Sequence, residues 1–281
     1  MNYRHAYHAG NFADVLKHAA LVAVVQHLKK KEKPFAIIDT HAGRGIYEIG
    51  GAEAKKTGEA SDGIGRLLPL SAVPGILGDY LSMVREFGDE LYPGSPLIAA
   101  HMLRPKDRLM AVESEPAEYE TLAQELNGVR NARAILGDGY DELLALLPPP
   151  ERRAAVLVDP PYEREDEFAR AAEVLVNAHR RFATGIYLLW YPAKMLPRVS
   201  ATAAELLNAG IRSLLRIELD VGAKPAPPRP DRAAPMTATG ILVINPPFGF
   251  IDQMQAILPF LAERLAQGPR ASGRIDVLAE R

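Results

Sequence analysis

Asp159-Pro160-Pro161-Tyr162 follows an apolar run, VLV, with an acid, two prolines and an aromatic ring. Together these groups can handle an amino group on a planar base. The exocyclic amine of adenine is a poor nucleophile because its lone pair is delocalised into the ring. Two acceptors on its two N–H bonds, the Asp159 carboxylate and the Pro160 carbonyl, would draw the nitrogen toward tetrahedral geometry and aim its lone pair at an incoming methyl group. Asp159 could also receive the released proton. Consecutive prolines restrict φ and offer no N–H, so the carbonyl is held rigidly, while Tyr162 presents a face on which a base can stack. A second run, Asn245-Pro246-Pro247-Phe248 after ILVI, repeats the outline with an amide in place of the acid, which raises the question of whether both are chemical sites.

The segment IIDTHAGRGIY places Gly43 and Gly45 just past a strand, where a tight turn lets backbone N–H groups approach a ligand. A dinucleotide fingerprint would want a third glycine where Glu48 stands, so hydride transfer with a nicotinamide cofactor is disfavoured. The next two strands end in acids, Glu113 in MAVESEP and Asp138 in ILGDGY. In an open α/β sheet, ligands bind beyond the carboxyl ends of the strands, where one carboxylate can accept both hydroxyls of a ribose and another an exocyclic amine. Each acid taken singly also fits a structural role, Glu113 as a helix cap and Asp138 in the turn with Gly139. The succession of glycine turn, acid, acid and then Asp159 with its prolines is the order expected of an S-adenosylmethionine-dependent amino methyltransferase. The rival from another class is a nucleoside-binding module without catalysis, and an intact Asp159 with Tyr162 argues against it.

These groups need strands to carry them. Seven short apolar segments, 35–39, 108–113, 132–138, 154–159, 185–191, 213–221 and 240–245, read as strands, and amphipathic stretches such as 118–126 and 168–182 read as helices between them. Strands alternating with helices predict a mostly parallel sheet covered on both faces. Ahead of them a helix starts at Asn11, with Phe12, Leu16 and Ala23 at helical spacing, and stops before Pro34. Residues 47–92 interrupt the rhythm with patterns that look helical, and are expected to form an insertion within a single domain. The proline-rich stretch 222–235 reads as an extended loop.

With 281 residues, 48% hydrophobic, no cysteine, and no apolar run long enough to span a bilayer, the chain is expected to be cytoplasmic and free of disulfides or thiolate metal sites. A net charge of −2 counts against nonspecific nucleic-acid coating but leaves room for local basic surfaces. Lys29, Lys30, Lys31 and Lys33 form one candidate and the loop with Lys224, Arg229 and Arg232 another; solvated helix ends or linkers are the plainer reading of each. His5, His8, His18, His27 and His41 crowd the N-terminal part. Without cysteine or a compact ligand pair, they suggest nucleotide contacts before metal. Lys17 and His18, one turn after Asp14, also fit a local ion pair on the helix.

The chain closely resembles the bacterial 23S ribosomal RNA adenine-N6 methyltransferases of the RlmJ type. The shared strings run from end to end: YRHAYHAGNFADVLKH, DTHAGRGIY, YPGSPLIA, DPPYE, RFATGIYLLWYP and MTATGILVINPP. The N-terminal string is much more specific than DPPY. The resemblance implies a Rossmann-like class I methyltransferase with a seven-stranded, mostly parallel sheet and a helical insertion, with residues 1–33 packing over the cofactor site. It also implies S-adenosyl-L-methionine as cofactor and an adenine in 23S ribosomal RNA, free or in an early precursor, as acceptor. Neither a metal nor an obligate protein partner is implied. By motif, His18, His41, Gly43, Ser95, Glu113, Asp138 and Gly139 would bind the cofactor, with Asp159, Pro160 and Tyr162 catalytic. Tyr3, His5 and Lys17 would lie near the RNA. A guanine N2 in ribosomal RNA or an adenine N6 in DNA is the alternative acceptor. In such a fold the last strand runs antiparallel, so Asn245 and Phe248 should lie at the edge away from the cofactor, and the loop 222–235 should open on the active edge.

Overall fold

The computed structural model describes residues 8–51, 58–223 and 236–280. Tyr3, His5 and the basic positions Lys224, Arg229 and Arg232 lie outside the described residues. Helix α1 (Phe12–Lys29) opens at Asn11, whose side-chain oxygen accepts the N–H groups of Ala13 and Asp14 at 2.9 and 3.0 Å. Val15, Leu16, Ala19, Leu21, Val22 and Val25 are all buried, so α1 is enclosed nearly all round rather than on one stripe. A helix with so little polar face becomes a core element.

Next come β1 (Ala36–Asp39), β2 (Ile46–Glu48), α2 (Glu59–Asp62), α3 (Leu77–Glu86), β3 (Leu91–Pro93) and α4 (Ser95–His101). A strand–helix alternation then runs through β4 (Arg108–Glu113), α5 (Pro116–Glu125), β5 (Ala132–Leu136), α6 (Gly139–Leu146), β6 (Ala154–Val158), α7 (Glu167–Arg181), β7 (Ile186–Pro192) and α8 (Leu196–Asn208). The chain finishes with β8 (Leu214–Asp220), β9 (Ala238–Ile244), α9 (Phe250–Arg264) and β10 (Ser272–Ala279).

The main sheet has the order β10-β8-β9-β7-β6-β1-β4-β5. Strands β5, β4, β1, β6 and β7 pair in parallel, β9 lies antiparallel between β7 and β8, and β10 is antiparallel on β8. This is the Rossmann-like class I arrangement, with all seven expected strands present and an eighth added at the edge. β10 escapes a search for apolar runs because it is half exposed and carries Arg274 and Asp276, charges that suit an edge strand. The short β2–β3 ladder at the base of residues 47–92 was also not expected; three residues a side are too few to show a period.

Side chains alternate between two cores. In β6, Ala155 and Leu157 join the core under α1, α4 and α9, while Val156 and Val158 join the one under α6, α7 and α8. Burial on both faces explains the apolar runs of β1, β4, β6 and β7, while β5 at the lateral edge is half-exposed. The ladder extends from β1 to β4 and β5 on one side and to β6 and β7 on the other, which opens a crevice at the carboxyl ends of β1 and β6. Among the described residues no helix is long and apolar enough to cross a membrane.

Candidate active site

Asp159 sits one residue past β6, 14% exposed, and its Oδ2 is ion-paired with Lys17 Nζ. Lys17 comes from the second turn of the buried helix α1, is itself only 5% exposed, and also reaches Asp14 Oδ1 at 2.8 Å. Burial alone would favour a neutral amine, but Asp14 and Asp159 together raise the Lys17 pKa well above its ordinary value. The local ion pair expected on the helix is therefore present, and it is extended by a partner 142 positions away in sequence.

Asp39 ends β1 beside this cluster. Its Oδ2 accepts from Ser95 Oγ at 2.6 Å, at the first turn of α4. Burial pushes its carboxyl up to about 6, opposed by the Ser95 hydrogen bond and the field of Lys17 and reinforced by Asp159. Having donated to Asp39, Ser95 Oγ keeps acceptor lone pairs. The Thr40 hydroxyl donates to Leu157 O at 3.0 Å and lies 2.7 Å from His41 Nδ1. With the single Thr40 proton used, His41 Nδ1 carries the proton and Nε2 is left as an acceptor. Desolvation lowers the His41 pKa to about 4, so the ring is neutral at physiological pH.

The glycine turn and the two acids complete the crevice wall. Gly43 has φ +64, and a Cβ there would collide with the Tyr47 hydroxyl. Its N–H donates to Glu113 Oε2 at 2.8 Å, while Glu113 Oε1 accepts from Glu115 N at 2.8 Å. Burial raises the Glu113 pKa in spite of these donors. Asp138 is the N-cap of α6, accepting from Tyr140 N at 2.9 Å, and its Oδ2 lies 3.0 Å from Arg170. Burial works against the charge, but Arg170 and the helix N–H groups outweigh it and lower the Asp138 pKa. At Gly139 a Cβ would collide with the Thr40 carbonyl, so only glycine lets the α6 N-terminus abut the end of β1. The His41 and Tyr140 rings meet edge-on at 5.0 Å, which ties this wall to the β1 turn.

Tyr162 adopts φ +53, an uncommon conformation for a bulky residue. Its hydroxyl donates to Trp190 O at 2.5 Å and its ring packs on Phe168 with centroids 4.4 Å apart, so its orientation is set from β7 and α7. His18 lies deeper than its neighbours: it is 1% exposed, Nδ1 is 2.7 Å from the Tyr92 hydroxyl, and the ring stacks on Tyr92 at 5.6 Å. Thus Asp159, Lys17, Ser95, His41, Gly43, Glu113, Asp138 and Gly139 gather at one sheet edge, and His18 packs among tyrosines beneath it.

The family model described as "Ribosomal RNA large subunit methyltransferase D, RlmJ" matches residues 32–277. The chain belongs to this family. A protein of Escherichia coli strain K12 named "Ribosomal RNA large subunit methyltransferase J" is 41% identical over 281 residues, covering 99% of this chain and 98% of that one. A Haemophilus influenzae protein of the same name is 40% identical, covering 97% and 96%. The crystal structure of a Legionella pneumophila protein superposes with a TM-score of 0.86 at 33% identity, covering 96% of this chain and 98% of that one.

Sequence reasoning did not assign Asp14, Asp39 or Arg170 to the site. Asp39 had a usable signal, since it closes the first apolar strand run as Asp159 follows that of β6. The partnership of Arg170 with Asp138 had none, because a lone arginine on an amphipathic helix reads as solvated surface.

Proposed function

We propose that this chain transfers a methyl group from S-adenosyl-L-methionine to the N6 amine of an adenine in 23S ribosomal RNA. The observation that carries the reading is Asp159-Pro160 at the crevice of the sheet, beside the glycine turn, in a chain of this family. The residues present fit the cofactor: a glycine turn with no room for a Cβ, and a partly exposed carboxylate, Glu113, at the end of the next strand. When bound, S-adenosylmethionine supplies an electrophilic methyl on a sulfonium. Glu113 would accept the ribose hydroxyls, and Asp138 with the Gly139 N–H would meet the adenine ring. Ser95, with its free lone pairs, and His41 would hold the amino-acid portion, with His18 supporting that end from below.

At the acceptor, Lys17 occupies Oδ2 of Asp159 and leaves Oδ1 for one N–H of the target amine. The Pro160 carbonyl takes the other N–H, so the nitrogen lone pair points along the remaining direction. Tyr162, braced by Phe168 and Trp190, offers the stacking face for a base flipped out of its helix at a cost of a few kcal/mol. The proton leaves through Asp159. By the family's N-terminal motif, Tyr3 and His5 belong with Lys17 among the residues assigned to the RNA. We read residues 1–281 as one methyltransferase domain, with 47–92 as its insertion and 1–33 over the cofactor, acting in the cytoplasm on free RNA or an early precursor.

The test is methyl transfer from labelled S-adenosylmethionine to unmodified 23S RNA, followed by nucleoside digestion and mass spectrometry. N6-methyladenosine is expected; N2-methylguanosine would overturn the acceptor.

A further inference from the structure

At the sheet edge opposite Asp159, the turn after α1 exposes Lys29, Lys30, Lys31 and Lys33, with Glu32 the acid among them. None of these four lysines makes an ion pair with the described residues. Two arginines hold the backbone beneath them. Arg104 donates to the carbonyls of Lys31 and Lys33 at 2.9 and 3.1 Å, and Arg153 donates to those of Leu28 and Lys33 at 2.7 and 2.5 Å. The lysine turn is thus a braced platform with its ammonium groups left to solvent.

Beside it stands the ring of the second proline motif. Phe248 is 90% exposed. Its turn is anchored by Asn245, in a left-handed conformation, whose Nδ2 donates to Ala183 O at 2.9 Å and Gly185 O at 2.8 Å. His27 joins the two features: its ring meets the Phe248 backbone and feels the charges of Lys30, Arg153 and Lys31. An open aromatic face beside unpaired ammonium groups is the combination that takes a nucleotide strand, phosphates on the lysines and a base on the ring. A protein partner fits less well, since lysine is depleted in the cores of protein interfaces and Phe248 stands singly rather than in an apolar patch.

We propose that this edge is a second ribosomal RNA contact, in which Lys29, Lys30, Lys31 and Lys33 hold the phosphate backbone and Phe248 stacks an unpaired base. The inference rests on the ribosomal RNA reading above and says where RNA beyond the target nucleotide is held. Helix α1 links the two contacts: Lys17 and Lys29 are separated by roughly 18 Å of helix axis. A hairpin cut short enough not to span that distance from Asp159 cannot reach the lysines, whereas a longer fragment can.

The full chain should be assayed on two unmodified RNAs, a short hairpin carrying the target adenine and a long 23S fragment around it. The variants are the combined Lys29→Ser, Lys30→Ser, Lys31→Ser, Lys33→Ser and, separately, Phe248→Ala. For the long fragment KM should rise about tenfold or more in the lysine variant and severalfold in Phe248→Ala, with the slope of log KM against log salt concentration shallower by roughly three in the lysine variant. On the hairpin both variants should match the parent, and kcat should hold on both RNAs. An unchanged KM for the long fragment overturns the proposal, and so does an equal loss on both RNAs. A loss confined to protein-containing ribosomal particles overturns it in favour of a protein contact. A parent chain that methylates neither RNA overturns the ribosomal RNA reading and this inference with it.

Discussion

Asp159-Pro160-Pro161-Tyr162 and Asn245-Pro246-Pro247-Phe248 are nearly the same tetrapeptide at opposite edges of one sheet. Asp159 emerges from β6, which runs with the parallel set, into a crevice where Lys17 pairs with it and Asp39 lies close by. Asn245 emerges from β9, which runs the other way, and spends its amide on two loop carbonyls. Tyr162 is braced by Trp190 and Phe168, whereas Phe248 stands in solvent. The same local chemistry thus becomes a candidate catalytic centre or a turn according to strand direction, because only one end of the sheet gathers the glycine turn, the acids and α6.

The strongest way to break this comparison is to exchange the outcomes of its two polar heads. Asp159→Ala should lower kcat by roughly 10²- to 10³-fold or more while S-adenosylmethionine affinity, by calorimetry, stays within a few fold. A variant that keeps its turnover would dismiss the acceptor role of this carboxylate. Lys17→Met removes the cation between two buried carboxylates and should cost about 3 to 5 kcal/mol in urea unfolding, because the acids are left uncompensated. An unaltered unfolding midpoint would mean that Asp14 and Asp159 do not depend on it.

Asp39 sharpens the contrast through pH. Its folded pKa near 6 lies above the unfolded value of about 3.9, so the folded chain binds this proton more tightly. Its contribution is fully favourable below pH 4 and is lost as pH rises through 6. Asp39→Asn should therefore stabilise the chain by about 2 to 3 kcal/mol at pH 8, with the gain gone near pH 4. A gain independent of pH, followed by thermal unfolding, would reject the assignment. The smallest change belongs to the other edge: Asn245→Ala should cost about 1 to 2 kcal/mol for two lost hydrogen bonds, with kcat intact. A turnover loss approaching that of Asp159→Ala would end the distinction between the edges.

Much of this was legible in the chain. All seven expected strands are present: six are largely buried and are written as apolar runs, and the half-exposed edge strand β5 was still marked by its alanines, isoleucine and leucine. The Asn11 cap and the Asp138 turn were readable because their partners lie two or three residues away. β10 was not, since an edge strand with charges carries no such run, and neither was the Arg170–Asp138 pair, whose members belong to different elements.

The amino-acid order by itself determined the chemical vocabulary: an acid before two prolines, glycines at a tight turn, carboxylates at strand ends, and a run of lysines after the first helix. Each of these depends on residue type and short-range backbone geometry. Only the tertiary structure decided which acid meets Lys17, that Asp39 is buried enough to titrate near 6, and that one proline motif faces the crevice while the other faces away. Desolvation and ion pairing depend on what the fold packs around a group, and strand direction is decided by the sheet as a whole.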